Sequence, residues 1–198
     1  MWGVAAFELD RRAVLRATAA GAAALTASVG RGHAQSAMRE MTVQRLSVVA
    51  TKPFAAVVAA FESSIGRPNI NDFMKDLIAA RTSEDMERVV GRAVGESGLM
   101  EFARFNIGFV LQKAADSSAN SLRILVGNPL IMKDMAKHVP DTGSYAPVTV
   151  LIDERADGVH LSYDKMASLL APYGNADALK VARDLDAKIE NLLRTAAA

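Results

Sequence analysis

Met132, Met135 and His138 recur at steps of three. On a helix that spacing places them along one slowly drifting face. Two thioethers and an imidazole form a soft donor set of the kind that takes Cu(I). The same stripe also suits a hydrophobic core, where methionine fills irregular space. Haem ligation through His138 or His160 is a related chemistry. Glu96 and Glu101 flank Gly98. Paired carboxylates can act as acid and base or hold a cation, and they can equally be a turn and a solvated helix end. Gly127-Asn128-Pro129 reads as a strand-to-helix switch, in which Asn128 caps and Pro129 takes the first helical position. Free N–H groups at such a start can receive an anion, although proline removes one of them. Tyr145 sits in the loop 140–147 and, with Tyr163 and Tyr173, could line a small-molecule pocket. The candidate ligand-binding residues are thus Glu96, Glu101, Asn128, Tyr145 and Tyr163. The candidate metal ligands are Met132, Met135 and His138.

Nothing in the chain marks a nucleophile. Cysteine is absent, which excludes disulfides, thiolate zinc sites, cysteine-ligated iron–sulfur clusters and cysteine catalysis. No nucleotide loop, HExxH, GxSxG or serine-triad spacing occurs. Asp141-Thr142-Gly143 is a single triplet beside a helix end, a poor setting for aspartic-protease chemistry. The residues therefore leave open whether the protein is an enzyme.

The elements that must hold these side chains follow from periodicity. Residues 42–50 read as a strand, and Phe54, Val57, Val58 and Phe61 as one face of a helix that ends at Gly66 and Pro68. Residues 70–93 read as two short helices, the first capped by Asn71 and the second by a Thr82/Asp85 capping pair. Phe105, Ile107, Phe109 and Leu111 alternate with other residues, which predicts a half-buried strand. A turn at 116–120 would join it in a hairpin to a strand over 122–126. A helix is expected from Pro129 to about His138. Strands at 148–152 and 159–163 flank an Asp157-Gly158 turn. Asp164 is expected to cap a helix to about Leu170. Residues 176–193 form a long amphipathic helix with Leu179, Ala182, Leu185, Ile189, Leu192 and Leu193 as its stripe. Consecutive hairpins among helices predict an α+β domain: an antiparallel sheet of about five strands with helices packed mainly on one face.

The first 34 residues read as an address. Arg11-Arg12-Ala13-Val14-Leu15-Arg16 is a twin-arginine pattern, with Asp10 where Ser or Thr is usual. The weakly apolar run 17–29 is too short to span a bilayer of roughly 30 Å. Gly32-His33-Ala34 supplies small residues for cleavage near Ala34, and Arg31 just before it disfavours export as an unfolded chain. The expectation is a periplasmic protein with no stable membrane span after cleavage. The whole chain carries 23 basic and 22 acidic residues. Loss of four arginines and two acids leaves 19 against 20, so no basic field exists to hold a nucleic acid. Residues 35–198 are long enough for one domain with its own core.

The stretch Ile124 to Pro129, the segment from Pro147 to Ile152, Asp157-Gly158-Val159 and Tyr163-Asp164 resemble, in order, the domain-of-unknown-function 302 family. The resemblance covers about 43–68 and 105–173. It implies a compact α+β domain with an antiparallel sheet backed by helices, and it implies no activity. By this comparison the helical segment 70–100 is an insertion and the long C-terminal helix an addition. Either could cover the sheet, lid a pocket or build a dimer interface. The leading expectation is a domain that binds a small ligand or cofactor between the sheet and the inserted helices, near Asn128, Tyr145, Glu96 and Glu101. The alternatives are a copper or haem protein, and a non-catalytic interaction module that forms a homodimer through its C-terminal helix.

Overall fold

In the computed structural model, residues 38–114 and 120–198 are described. The export segment and most of the expected turn at 116–120 lie outside them. Residues 39–198 form one unit. Five strands make a single antiparallel sheet: β1 (Arg45–Ala50), β2 (Met100–Asn106), β3 (Ser121–Gly127), β4 (Val148–Arg155) and β5 (Gly158–Asp164), in the order β1-β5-β4-β3-β2. The fold is therefore α+β, as the pattern of hairpins predicts.

Strand alternation decides what the sheet buries. Leu46, Val48 and Ala50 face the same side as Val159, Leu161 and Tyr163, with Val148, Val150, Ile152, Leu122, Ile124 and Val126 beside them. That side receives helices α1 (Phe54–Ser64), α5 (Pro129–Ala136), α6 (Met166–Leu170) and α7 (Ala176–Ala197). The stripe of α7 is buried in its own chain, with Ala178 rather than Leu179 at its first turn. The apolar face expected to form a dimer is thus occupied by the core.

The opposite face carries Arg45, Ser47, Val49, Arg123, Thr149 and Ser162, and the helices of the main core pack on the other side. Arg45 and Asp164 pair there across β1 and β5, at 2.6 and 2.7 Å.

Helices α2 (Ile70–Ala79) and α3 (Ser83–Ala93) form the segment between α1 and β2. The Thr82/Asp85 capping box is present. Asn69, not Asn71, caps α2: its side chain accepts from the backbone of Asn71 and Asp72, because the cap must sit one residue outside the first helical turn. The two ends of the segment meet. Gly66 and Gly95 both donate their N–H to the carbonyl of Leu99, at 2.8 and 2.9 Å. A Cβ on Gly66 would lie 1.8 Å from the carbonyl oxygen of Ala93, so only glycine permits this crossing.

Two further expectations fail. The strand over 105–111 is instead the end of β2 followed by α4 (Ile107–Ala114). The run places apolar residues at both parities, Val110 beside Phe109 and Leu111, so no strand could bury one clean face. Asn106 caps the helix, its Oδ1 accepting from Phe109 N at 2.8 Å. In addition, Asp164 does not cap α6. Arg45 engages it, and Asp186 of α7 serves the cap instead: Met166 N and Ala167 N donate to its carboxyl oxygens at 2.8 and 3.1 Å.

Candidate functional site

One cavity of about 190 Å³ lies at the end of the sheet between α2, α5 and the start of β4. A bulge in β2 between Glu101 and Ala103 inserts Phe102 into its wall, the re-aiming that such irregularities provide. Phe73 of α2 meets Phe102 edge-to-face, at 6.4 Å and 89°, the arrangement that aromatic quadrupoles favour. Met74 and Leu77 of α2, Ile131, Met132 and Met135 of α5, Pro147, Val148 and Leu185 complete the apolar wall. Ala146-Pro147 is a cis peptide. Gly127, Asn128 and Pro129 form one side.

Asn128 is the one side chain in this wall with amide chemistry, and its hydrogen bonds are spent locally. Its Oδ1 accepts from Leu130 N at 2.8 Å and its Nδ2 donates to Gly98 O at 2.9 Å. The switch therefore forms as the sequence predicts, with the capped helix start turned to structural use. Among the described residues, no charged side chain lines the cavity.

The other predicted residues are dispersed. Met132 and Met135 share the cavity wall, Met135 fully buried, while His138 is exposed beyond the end of α5 and lines neither hollow. Among the described residues, no group of three or more His, Asp or Glu is placed to hold a metal ion. His160 bonds Asp157 at 2.8 Å, which holds the Asp157 carboxyl below its ordinary range. Its Nδ1 is buried without a hydrogen-bond partner.

Glu96 is exposed on the turn before Gly98. Glu101 is engaged elsewhere: Arg104 lies between it and Glu62, with Nε at 2.7 Å from Glu101 and Nη1 at 2.6 Å from Glu62. Arg67 joins the same network, 2.9 Å from Glu62 and 3.6 Å from Glu101. Bonding to Glu101 raises the pKa of Arg104, burial opposes the rise, and Glu62 adds to it. Two carboxylates and two guanidinium groups cancel, so Glu101 is not a free acid or base.

Tyr145 and Tyr163 contribute to a second hollow of about 320 Å³ on the open face, with Arg45, Arg123, Thr149 and Ser162. The Tyr145 hydroxyl meets that of Tyr173 at 2.9 Å, and this bond first, with burial, pushes the Tyr173 pKa up to about 12. The Tyr163 ring is buried on the helix side, and its hydroxyl donates to Asp186 Oδ1 at 2.7 Å. Burial first, and then the Asp186 charge, push the Tyr163 pKa up.

Sequence reasoning missed Phe73, Leu77 and Phe102 as cavity residues. The first two pack in the apolar cluster of α2 and α3. Phe102 becomes a wall residue only through the bulge, which no local pattern announces.

Residues 78–196 match the family model described as "Domain of unknown function DUF302". The match takes in α3 and α7, so the segment 70–100 is only partly outside it and the C-terminal helix is no addition. The crystal structure of an uncharacterized conserved protein DUF302 from Bacillus stearothermophilus is similar, with a TM-score of 0.55 and 13% identity. The similarity covers 77% of this chain and 97% of that one. At that identity it speaks to the fold alone. No curated protein matches the chain.

Proposed function

The chain belongs to the DUF302 family, and from that premise we propose that this member binds a small, neutral, apolar molecule in the cavity between α2 and α5. The observation that carries the reading is the cavity's chemistry: an edge-to-face aromatic pair, three methionines and no charged side chain around about 190 Å³. An apolar cavity of about 150 Å³ holds benzene, so a single ring with one or two small substituents fits here. Buried charge on the ligand would find no partner and would be rejected. Thioethers add favourable contacts to a ring edge.

The test is methionine-methyl NMR during titration with toluene or indole. The methyl signals of Met74, Met132 and Met135 are expected to shift together, with a Kd on the order of 0.1–1 mM for so few heavy atoms. Gly127→Val is expected to abolish the shifts: a Cβ there meets Pro147 and Phe102 at 3.4 to 3.6 Å, ordinary contact distances, and the added methyls enter the cavity. Unmoved methionine signals at millimolar ligand, or equal binding by Gly127→Val, overturn the reading.

A soft cation is the second reading, supported by Met132 and Met135 sharing that wall. A Cu(I) competition titration tests it, with loss of affinity expected in Met132→Leu. We place the protein in the periplasm on the strength of Arg11-Arg12, the short apolar run and the small residues at 32–34. The intact mass of the chain recovered from the periplasmic fraction, beginning at Gln35, is the expected result. A cytoplasmic chain retaining Met1 counts against it.

A further inference from the structure

Where β2 runs into α4, four large apolar side chains stand in water. Phe105 is 49% exposed, Phe109 54%, Val110 58% and Leu111 38%. Three are consecutive, and at about 100° per residue they span more than half the helix circumference. The sheet beneath can cover one side of such a turn and not the rest. Two cations rim the cluster: Lys113 Nζ lies 4.5 Å from the centre of the Phe109 ring, and the Arg123 guanidinium 5.9 Å from that of Phe105. Among the described residues, the nearby acids are committed elsewhere. Glu101 is held by Arg104 and Asp153 by Arg155, while Glu154 alternates to the other face of β4.

We propose that α4 is a membrane-contact tip, which inserts Phe109, Val110 and Leu111 into the interfacial layer of a bilayer while Lys113 and Arg123 meet anionic headgroups. Charge complementarity selects the anionic surface, because the corner joins an apolar point to two cations that form no ion pair among the described residues. Area argues against a second copy of the chain. Four side chains of roughly 200 Å² each, about half exposed, offer about 400 Å², half of one side of a standard interface. A bilayer needs no matching relief and accepts a small convex tip. No helix among the described residues is long and apolar enough to cross a membrane, so this is contact in the plane of the surface.

Co-sedimentation of the full chain with vesicles of phosphatidylcholine, alone or with about one third phosphatidylserine, tests the proposal. Each cation near an anionic surface is worth roughly fivefold, so the two predict about thirtyfold tighter binding to the charged vesicles. The pair Lys113→Glu and Arg123→Glu is expected to erase that preference. The pair Phe109→Ser and Val110→Ser is expected to weaken binding to both vesicles by at least about tenfold. The basic, apolar stretch 11–29 can itself meet lipid, so the reading is the difference between parent and variant chains. If the serine pair fails to fold, the charge-reversed pair still decides, since its exposed side chains bury little. Unchanged binding in the charge-reversed pair overturns the proposal. A lipid-free dimer in sedimentation velocity that Phe109→Ser dissolves also overturns it, and assigns the corner to a second copy.

Discussion

Removing the Asp186 carboxylate should cost this fold more than any single surface contact. Asp186 is buried on α7 and accepts three hydrogen bonds: from the Tyr163 hydroxyl at 2.7 Å, Met166 N at 2.8 Å and Ala167 N at 3.1 Å. It thus caps α6 from a distant helix and fastens β5 to α7 at the same point. In Asp186→Ala, Met166 N keeps the Tyr163 oxygen, 3.1 Å away. The Tyr163 O–H and the Ala167 N–H lose their acceptor inside the protein. Each buried orphan costs about 1–3 kcal/mol, so about 4 kcal/mol is expected in total. Tyr163→Phe removes a single bond to a carboxylate and should cost about 1.5 kcal/mol. In the double variant the hydroxyl orphan no longer exists, but Met166 N loses the Tyr163 oxygen it had kept, so two orphans remain and the cost of about 4 kcal/mol falls about 1.5 kcal/mol short of the sum. Urea unfolding followed by circular dichroism measures this. With a slope of about 2 kcal/mol per molar, Asp186→Ala moves the midpoint by about 2 M. A shift under about 0.5 M, or an additive cycle, refutes the reasoning.

Alkaline pH should weaken the fold. The Tyr163 pKa is raised in the folded chain by burial and then by Asp186, so the folded state keeps a proton that the unfolded state releases near the ordinary tyrosine range. Stability is then full below about pH 10 and falls above it. Tyr163→Phe should flatten that fall in a pH series of thermal unfolding. Gly158→Ala should cost about 2–3 kcal/mol, since φ is +139° there and the new Cβ would lie 2.7 Å from the Ala50 carbonyl oxygen; a shift in melting temperature reports it. Thr82→Ala removes the acceptor for Asp85 N and should cost about 1 kcal/mol in the same assay.

The parts of this structure legible in the sequence are those written within a few residues. Thr82 and Asp85 lie one turn apart and cap as expected, and Asn128-Pro129 starts its helix as read. Misreadings arise where two local grammars overlap. Residues 105–111 satisfy alternation, yet Asn106 offers a helix cap and Val110 spoils the clean strand face. Asp164 stands one residue ahead of the cap position, which Lys165 takes, and Arg45, brought in by β1, engages it. The Tyr163–Asp186 pair and the cavity were not legible, because separate elements supply them. Phe73, Phe102, Met132 and Leu185 carry no shared period, and only the packed sheet and the β2 bulge bring them to one wall.

The glycine crossing at 66 and 95 changes how this protein can vary. The chain leaves the core at Gly66 and returns to it at Gly95, with both ends tied to Leu99 O. Everything between is an excursion with coincident endpoints. Its length can change without altering any distance the rest of the chain must bridge, and the entropic penalty grows only as the logarithm of that length. Phe73, Met74 and Leu77 belong to the excursion, whereas Gly127, Met135 and Val148 belong to the sheet and the helices packed on it. One wall of the apolar cavity is therefore an exchangeable cartridge and the rest a fixed mount. A cassette replaced between these two glycines would reshape that wall while the five-stranded sheet stays as it is.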